Sequence, residues 1–269
     1  MNAVEQNMKR RKIGKVVLLS TIGLVSYSGF LIANMPAEKL WQYLPTDQLP
    51  VQLAGINGTP WKGSAESITL ALSRTPLVLP SIRWQIDTGS LLQGDLKIAI
   101  ELGGAASPIE GEGIVTLDQQ TLTLENLELD TTAQWLVSAT GGKVPGELTG
   151  NVFLQLDELV MNNSGCTQLR GDAEWTSSRL SSPFGQFDLG SSTAELSCQN
   201  KNLIAKVSQK SPIINSYGDF QIGTSGRYTF TGKMTPNSSL PDNMKQGFSL
   251  LGRADSNGAY PLRFRGIVK

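Results

Sequence analysis

The sequence predicts a mainly β protein: a single N-terminal transmembrane helix followed by a curled antiparallel β-meander with one short covering helix. Residues 16–35 contain no charged residue, which is typical of a membrane-spanning segment. From Pro50 onward, apolar residues recur at every second position, as in antiparallel strands with one covered face and one solvated face. Glycine precedes several of these runs, which indicates related strands in a sheet that bends strongly.

The N-terminal segment predicts an uncleaved membrane anchor. Twenty helical residues span roughly 30 Å, which matches the hydrocarbon core of a bilayer. Five basic residues precede the anchor, so the positive-inside rule keeps residues 1–15 in the cytoplasm and sends residues 36–269 across the membrane. A cleaved signal peptide is the alternative interpretation. Its small-x-small cleavage site is not met, because Leu31 stands two positions before Ala33.

The charge beyond the anchor argues against some classes of partner. The whole chain has 23 basic and 23 acidic residues, but five of the basic ones and only Glu5 of the acidic ones lie before residue 36. The exported part is therefore acidic by about four charges. Nucleic acid and anionic lipid headgroups are not its expected partners.

The segment after the anchor contains a short predicted helix and then a glycine-rich stretch. Residues between Pro36 and Pro45 form the helix, with Trp41 and Tyr43 placed to lie at the membrane interface. In "LAGINGTPWKGSA" (residues 53–65), Gly58 and Gly63 have the spacing of a phosphate-binding loop. Ser64 and Ala65 stand where that motif requires a lysine and a hydroxyl residue, and the residues that follow have a strand period, so a phosphate-binding loop is excluded. The pair Asn57-Gly58 instead predicts a type I′ hairpin turn.

The exported region reads as a series of strands. They are predicted at residues 81–86, 95–102, 113–117, 121–129 and 151–159, with a closing strand at 259–268. A short repeat, in which glycine follows an apolar residue by two positions, recurs around Gly94, Gly150, Gly171 and Gly232. Residues 241–252 depart from this period, with apolar residues at helical spacing between Pro241 and Gly252. They predict the covering helix.

The chain has two cysteines, Cys166 and Cys198, both beyond the anchor. In an oxidising compartment an even pair predicts one disulfide. A metal site is the rival interpretation, but two thiols in a chain without histidine make a poor ligand set. No cofactor is expected.

Few catalytic arrangements are open to a chain without histidine. Serine and cysteine triads that depend on histidine are excluded. Paired carboxylates remain possible, with Glu110 and Glu112 or Asp157 and Glu158 as candidates for hydrolysis of glycans. All four lie in or beside alternating strands, where a carboxylate on the solvated face is the ordinary finding. The tryptophans at 61, 84, 135 and 175 fit sheet packing better than carbohydrate stacking.

Five stretches in a fixed order carry a family resemblance. They are "LAGINGTPWKGSA" (53–65), "LPSIRWQIDTGSLLQGDL" (79–96), "CTQLRGDAEW" (166–175), "LGSSTAELSCQNKNLIAKV" (189–207) and "LLGRADSNGAYPLRFRG" (250–266). Together the sequence resembles protein N of the bacterial type II secretion system. One departure is Pro60, where the family tends to have an apolar residue before the tryptophan. The departure bears on the geometry of that turn.

The resemblance implies a non-enzymatic protein of the bacterial inner membrane with a periplasmic β-rich domain. It implies a role in the machinery that exports folded proteins across the outer membrane, with other secretion subunits as partners. It also implies that Cys166 and Cys198 are paired. The alternative function is a periplasmic lipid-binding or lipid-transfer module, whose curled sheet would hold acyl chains in a groove. An apolar face free of aromatic side chains would favour that alternative.

Overall fold

The computed structural model describes residues 3–44, 51–71, 76–104, 107–139, 146–183, 185–241 and 252–267, with side chains described except at 3–16 and 32. Three α-helices lie in these ranges: α1 (Ala3–Ala33), α2 (Ala37–Tyr43) and α3 (Ala133–Ala139). Helix α2 confirms the helix predicted between the two prolines and begins directly after Pro36. Within the described ranges, no helix has both the length and the apolar character needed to cross a membrane.

The remainder is one open antiparallel sheet, as the alternation predicts. Its strands are β1 (Val51–Ala54), β2 (Asn57–Gly58), β3 (Lys62–Leu70), β4 (Leu77–Asp87), β5 (Leu96–Leu102), β6 (Ile109–Leu117), β7 (Thr121–Thr132), β8 (Glu147–Asn162), β9 (Gly165–Ser182), β10 (Gly185–Gln199), β11 (Asn202–Lys210), β12 (Ile214–Ile222), β13 (Arg227–Pro236) and β14 (Tyr260–Ile267). From β3 to β14 each strand pairs with the next one along the chain, while β1 and β2 both pair with β3. This connectivity confirms a meander.

Each strand predicted from the alternation falls on β4, β5, β6, β7, β8 or β14. The sequence missed α3 and the short 3-10 helix at Ser90–Gln93 that leads into β5. The predicted covering helix falls on residues 242–251, which lie outside the described residues.

The predicted turn at Asn57-Gly58 is wrong. These two residues form β2 and pair with Ser64 and Gly63 of β3. The chain instead reverses at Pro60 and Trp61, where the backbone N–H of Thr59 donates to the carbonyl oxygen of Lys62 at 2.9 Å. Pro60 explains the shift, because its fixed φ suits the second position of a turn, whereas a type I′ turn requires a positive φ there.

The four repeat glycines have different structural roles. Gly94 ends the 3-10 helix, and Gly150 lies at a register shift between β8 and β9. Gly171 lies in the interior of β9, where a Cβ atom would come within 2.6 Å of the Leu156 side chain and would also collide with a carbonyl oxygen of β8. Gly232 faces Gly218 on the neighbouring strand. The sequence repeat therefore marks a common strand pattern but not one repeated backbone feature.

Apolar side chains form two buried clusters on the sheet. One contains Leu156, Leu159, Cys166 and Leu169, with partly buried residues from β7 to β11 around them. The other contains Phe187, Ile213, Ile214 and Leu240 and lies where β9 to β13 end. The first cluster stabilises the middle of the meander, and the second joins the connections at one end of its last strands.

A β-bulge between β9 and β10 bends the sheet between these clusters. Gly190 has φ +68° and lies between two register shifts. Its carbonyl oxygen accepts a hydrogen bond of 2.6 Å from the hydroxyl of Ser178, a residue with no exposed surface. Its N–H donates to Asp188 at 2.8 Å. The backbone N–H and carbonyl groups of Gly190 are therefore both hydrogen-bonded, although the bulge interrupts the regular pairing and increases the local twist of the sheet.

Candidate interaction surface

One face of the sheet carries a row of polar side chains from β4 to β14, and we call this side the polar face. Residues opposite one another on successive strands point to the same side. The row consists of Arg83, Glu101, Glu112, Glu128, Gln155, Asp172, Glu195, Lys206, Asp219, Thr231 and Arg263. All of them are exposed. The polar face is therefore the solvated side that the alternation predicts.

The polar face is acidic in its middle and basic at the β14 edge. Glu101, Glu112 and Glu128 follow one another on β5, β6 and β7. Like charges directly opposite one another destabilise a sheet, so this arrangement lowers the stability of the isolated protein. Arg83 offsets part of it through an ion pair with Glu101 at 2.6 Å. At the other end, Arg263 of β14 brings positive charge to the last strand.

The carboxylates considered for hydrolysis lie on this solvated side. Glu110 and Glu112 are two residues apart on β6, and both are exposed along an open groove of about 480 Å³. Glu158 accepts a hydrogen bond from Arg170 at 3.2 Å, and Asp157 lies at a register shift of β8. A glycosidase requires one carboxyl group held protonated in an apolar pocket. The described positions do not provide such a pocket for any of the four.

Among the described residues, no group of three or more histidine, cysteine, aspartate or glutamate side chains is arranged to hold a metal ion. Cys166 and Cys198 are joined in a disulfide, with their Cα atoms 5.6 Å apart. Cys166 lies at the start of β9 and Cys198 near the end of β10, beside the buried leucines of the middle cluster. The disulfide thus closes one end of the β9–β10 hairpin around that cluster.

The opposite side of the sheet carries apolar rows, and we call it the apolar face. One row consists of Leu127, Leu156, Gly171, Leu196, Ala205, Phe220, Phe230 and Phe264. Most of its members are buried or half-buried, but Phe264 is 55% exposed. Aromatic rings occupy the end of the row: the rings of Phe230 and Phe264 are 6.1 Å apart, and those of Phe220 and Tyr228 are 5.6 Å apart.

Hydrogen bonds to backbone carbonyl oxygens hold the indole rings of two tryptophans against the sheet. The indole N–H of Trp84 donates to the carbonyl oxygen of Pro60 at 3.0 Å, and that of Trp175 donates to Thr149 at 3.3 Å. The Trp84 ring also packs against Gly63, where a Cβ atom would come within 2.5 Å of it. These contacts support sheet packing and leave less ring surface for stacking on a sugar.

A hydrogen-bonded clasp holds the chain that leads into β14. The Asp255 carboxylate accepts hydrogen bonds from the Lys233 ammonium at 2.7 Å and from the backbone N–H groups of Asn257 and Ala259. The bond from Lys233, followed by those two backbone bonds, lowers the pKa of Asp255 to about 2. The same contact raises the pKa of Lys233. The clasp connects the start of the last strand to β13.

This clasp predicts a pH dependence of local stability. Because the pKa of Asp255 is lower in the folded protein than its ordinary value of 3.8, its contribution is complete above about pH 4 and is lost as the pH falls towards 2. We expect the exchange protection of the Asn257 and Ala259 amides, corrected for intrinsic rates, to fall over that window. Asp255→Asn should lower their protection at neutral pH and remove its pH dependence. Equal pH dependence in both proteins would contradict the assignment.

Sequence reasoning did not identify the arginines of the last strand as a feature of the surface. Arg263 and Arg265 are exposed on the polar face of β14. The alternating pattern "YPLRFRGI" carries the signal, since it places both arginines on one side and Leu262 and Phe264 on the other. Its position at the edge of the sheet becomes apparent only from the strand order.

Comparison with known proteins gives one consistent family. The sequence model of the family described as "Type II secretion system (T2SS), protein N" matches residues 50–263. The chain is 30% identical to the type II secretion system protein N of Aeromonas hydrophila over 94% of this chain and 98% of the relative. It is 30% identical to that of Pectobacterium carotovorum (90% and 94%) and 24% identical to that of Vibrio cholerae (96% and 99%). No solved structure matches.

Proposed function

Because the chain belongs to the type II secretion system protein N family, we propose that it is a non-enzymatic, inner-membrane-anchored periplasmic component of the secretion machinery that exports folded proteins across the outer membrane. The observation that carries the proposal is the extent of the family match, which includes nearly the whole sheet. The described surface supports a role in binding, since it offers two extended faces and free sheet edges.

The proposed topology has three parts: a cytoplasmic segment at residues 1–15, an anchor at 16–35 and a periplasmic domain at 36–269. The uncharged run and the basic residues before it support the anchor. The disulfide supports an oxidising compartment for the domain. Register shifts between β6 and β7, β8 and β9, and β9 and β10 support a curled sheet, because bulges increase twist.

Protease accessibility tests this topology. In intact cells the sheet should resist an added protease, whereas in spheroplasts with an intact inner membrane it should be digested. An epitope tag at the N-terminus should survive in spheroplasts, because that end is cytoplasmic. Alkaline carbonate should leave the protein in the membrane fraction. A sheet that is protected in spheroplasts, or a protein extracted by carbonate, would contradict the topology.

Co-purification tests the function. A tagged full-length chain purified from detergent-solubilised envelopes should enrich secretion-system subunits when the system is expressed. The matched control is the same tagged chain in cells that lack the other genes of the system. If no subunit is enriched and labelled phospholipid is recovered instead, the lipid-binding alternative is favoured. The aromatic rings at the end of the apolar face weigh against that alternative, because they occupy space that an acyl chain would need.

A further inference from the structure

The two edges of the sheet differ in what they offer a partner. At one edge, β1 has only four residues, and Gly55 with φ +64° separates it from the two residues of β2. At the other edge, β14 runs for eight residues, and no strand in the described part of the chain pairs with its outer side. An unpaired edge presents backbone N–H and C=O groups to any extended segment. The β14 edge is the longer template, and it is continuous from Leu262 to Ile267, after Pro261, which has no N–H to donate.

The side chains of β14 define what kind of strand could join it. Arg263 and Arg265 are exposed on the polar face, and neither makes an ion pair with a described residue. On the apolar face the Phe264 side chain is 55% exposed, whereas Ile267, which is 49% exposed, lies on the same side as the two arginines. A strand added here would place its side chains directly opposite these residues, at a spacing of about 5 Å. Carboxylates on one side and apolar groups on the other would complement the edge.

A second copy of the chain fits this edge poorly. Two β14 strands paired with each other would bring the arginines of both copies together on one face, and like charges in such positions are destabilising. The β1 edge of another copy offers only Val51–Ala54, which carries no charged residue to meet the arginines. Charged residues on a sheet edge commonly prevent self-association. On β14 the positive charges of the two arginines also favour an incoming strand with negatively charged side chains.

We infer that β14 accepts, by strand addition, an extended segment of another envelope protein in which acidic and apolar residues alternate. The inference rests on the proposed function, since the segment would belong to a partner in the secretion machinery. Main-chain hydrogen bonds would supply affinity, and the arginines with Phe264 would supply register and selectivity. The added strand would bury the exposed face of the Phe264 ring, which already stacks on Phe230.

Hydrogen exchange with defined peptides tests the inference on the purified full-length chain. The probe is a synthetic peptide of eight residues in which glutamate and valine alternate, with a lysine–valine peptide as the charge control. The acidic peptide should slow exchange of the β14 amides, and the basic peptide should not. The variant Arg263→Glu/Arg265→Glu should reverse this preference. The matched control Lys206→Glu, on the same face but in the interior strand β11, should leave it unchanged.

The inference would be overturned by no protection of β14 by the acidic peptide, by protection at the β1 edge instead, or by a preference unaffected by the double arginine variant. Dimerisation of the free chain through β14 would also overturn it. Because purified protein and synthetic peptide suffice, this experiment is independent of the secretion machinery. If the acidic peptide protects β14 but no secretion subunit co-purifies with the chain, the proposed function is contradicted and the β14 site is not. If subunits co-purify but the peptide does not protect β14, the β14 site is contradicted and the proposed function is not.

Discussion

Replacing Gly190 with alanine is expected to lower the free energy of unfolding by about 2 to 5 kcal/mol. A positive φ costs a residue with a side chain about 1 to 2 kcal/mol, and overpacking adds about 1 to 3 kcal/mol. Both apply here, because Gly190 has φ +68° and its Cβ atom would collide with the Lys210 carbonyl oxygen and lie 2.8 Å from Cα of Ser211. Urea unfolding of the purified chain, followed by circular dichroism, measures the loss.

Gly94→Ala provides the matched control for this substitution. Gly94 also has a positive φ, of +93°, but apart from its chain neighbours no atom of the described residues lies within 4 Å of its added Cβ position. Only the backbone cost of about 1 to 2 kcal/mol should appear. Equal losses of unfolding free energy in the two variants would show that the β10 bulge has room for a side chain, which would contradict the close contact of Gly190 with Lys210 and Ser211.

Removing the disulfide is expected to destabilise the sheet by about 3 to 4 kcal/mol in the chain-entropy model. Cys166 and Cys198 are separated by 32 positions, and their bond restricts the unfolded chain over the β9–β10 hairpin. Replacing both cysteines with serine should lower the midpoint of urea unfolding. The double variant avoids a leftover thiol.

Unfolding in the presence of a reducing agent provides the control for the cysteine substitutions. Wild-type protein in reductant should unfold at nearly the same urea concentration as the double serine variant, while the variant itself should not respond. A wild-type midpoint that reductant leaves unchanged would contradict a stabilising role for the bond. A thiol titration under denaturing conditions, which should detect no free cysteine in oxidised protein, checks that the bond is present.

The meander could be predicted because one face is polar and the other apolar along almost every strand. Alternation such as that in β5 and β8 requires only local sequence, and consecutive antiparallel pairing is the simplest way to join such strands. The turn before β3 could not be placed as well, since Asn57-Gly58 and Pro60 compete within four residues. The fixed φ of Pro60 determines where the chain turns, and Asn57 and Gly58 therefore lie in a strand although this pair favours a hairpin turn.

The interaction surface was harder to predict than the fold. Charges on the solvated side are ordinary in a sequence, and only the register reveals that Glu101, Glu112 and Glu128 are direct neighbours. Arg263 and Arg265 can contact a partner at the sheet edge because β14 is the last strand, and the strand order is a property of the whole sheet. Short local structure was also missed in α3, where the alternation of β7 ends abruptly and seven residues turn helical.

The central claim is that this protein acts by binding other subunits of the secretion machinery through the sheet. Photo-crosslinking in living cells tests it most directly, with a photoreactive phenylalanine analogue in place of exposed Phe264 and, as a control, in place of half-buried Phe220. We expect an adduct between position 264 and a secretion subunit, absent when the system's other genes are deleted and much weaker from position 220. Adducts that persist unchanged after that deletion, or none from position 264, would contradict the claim.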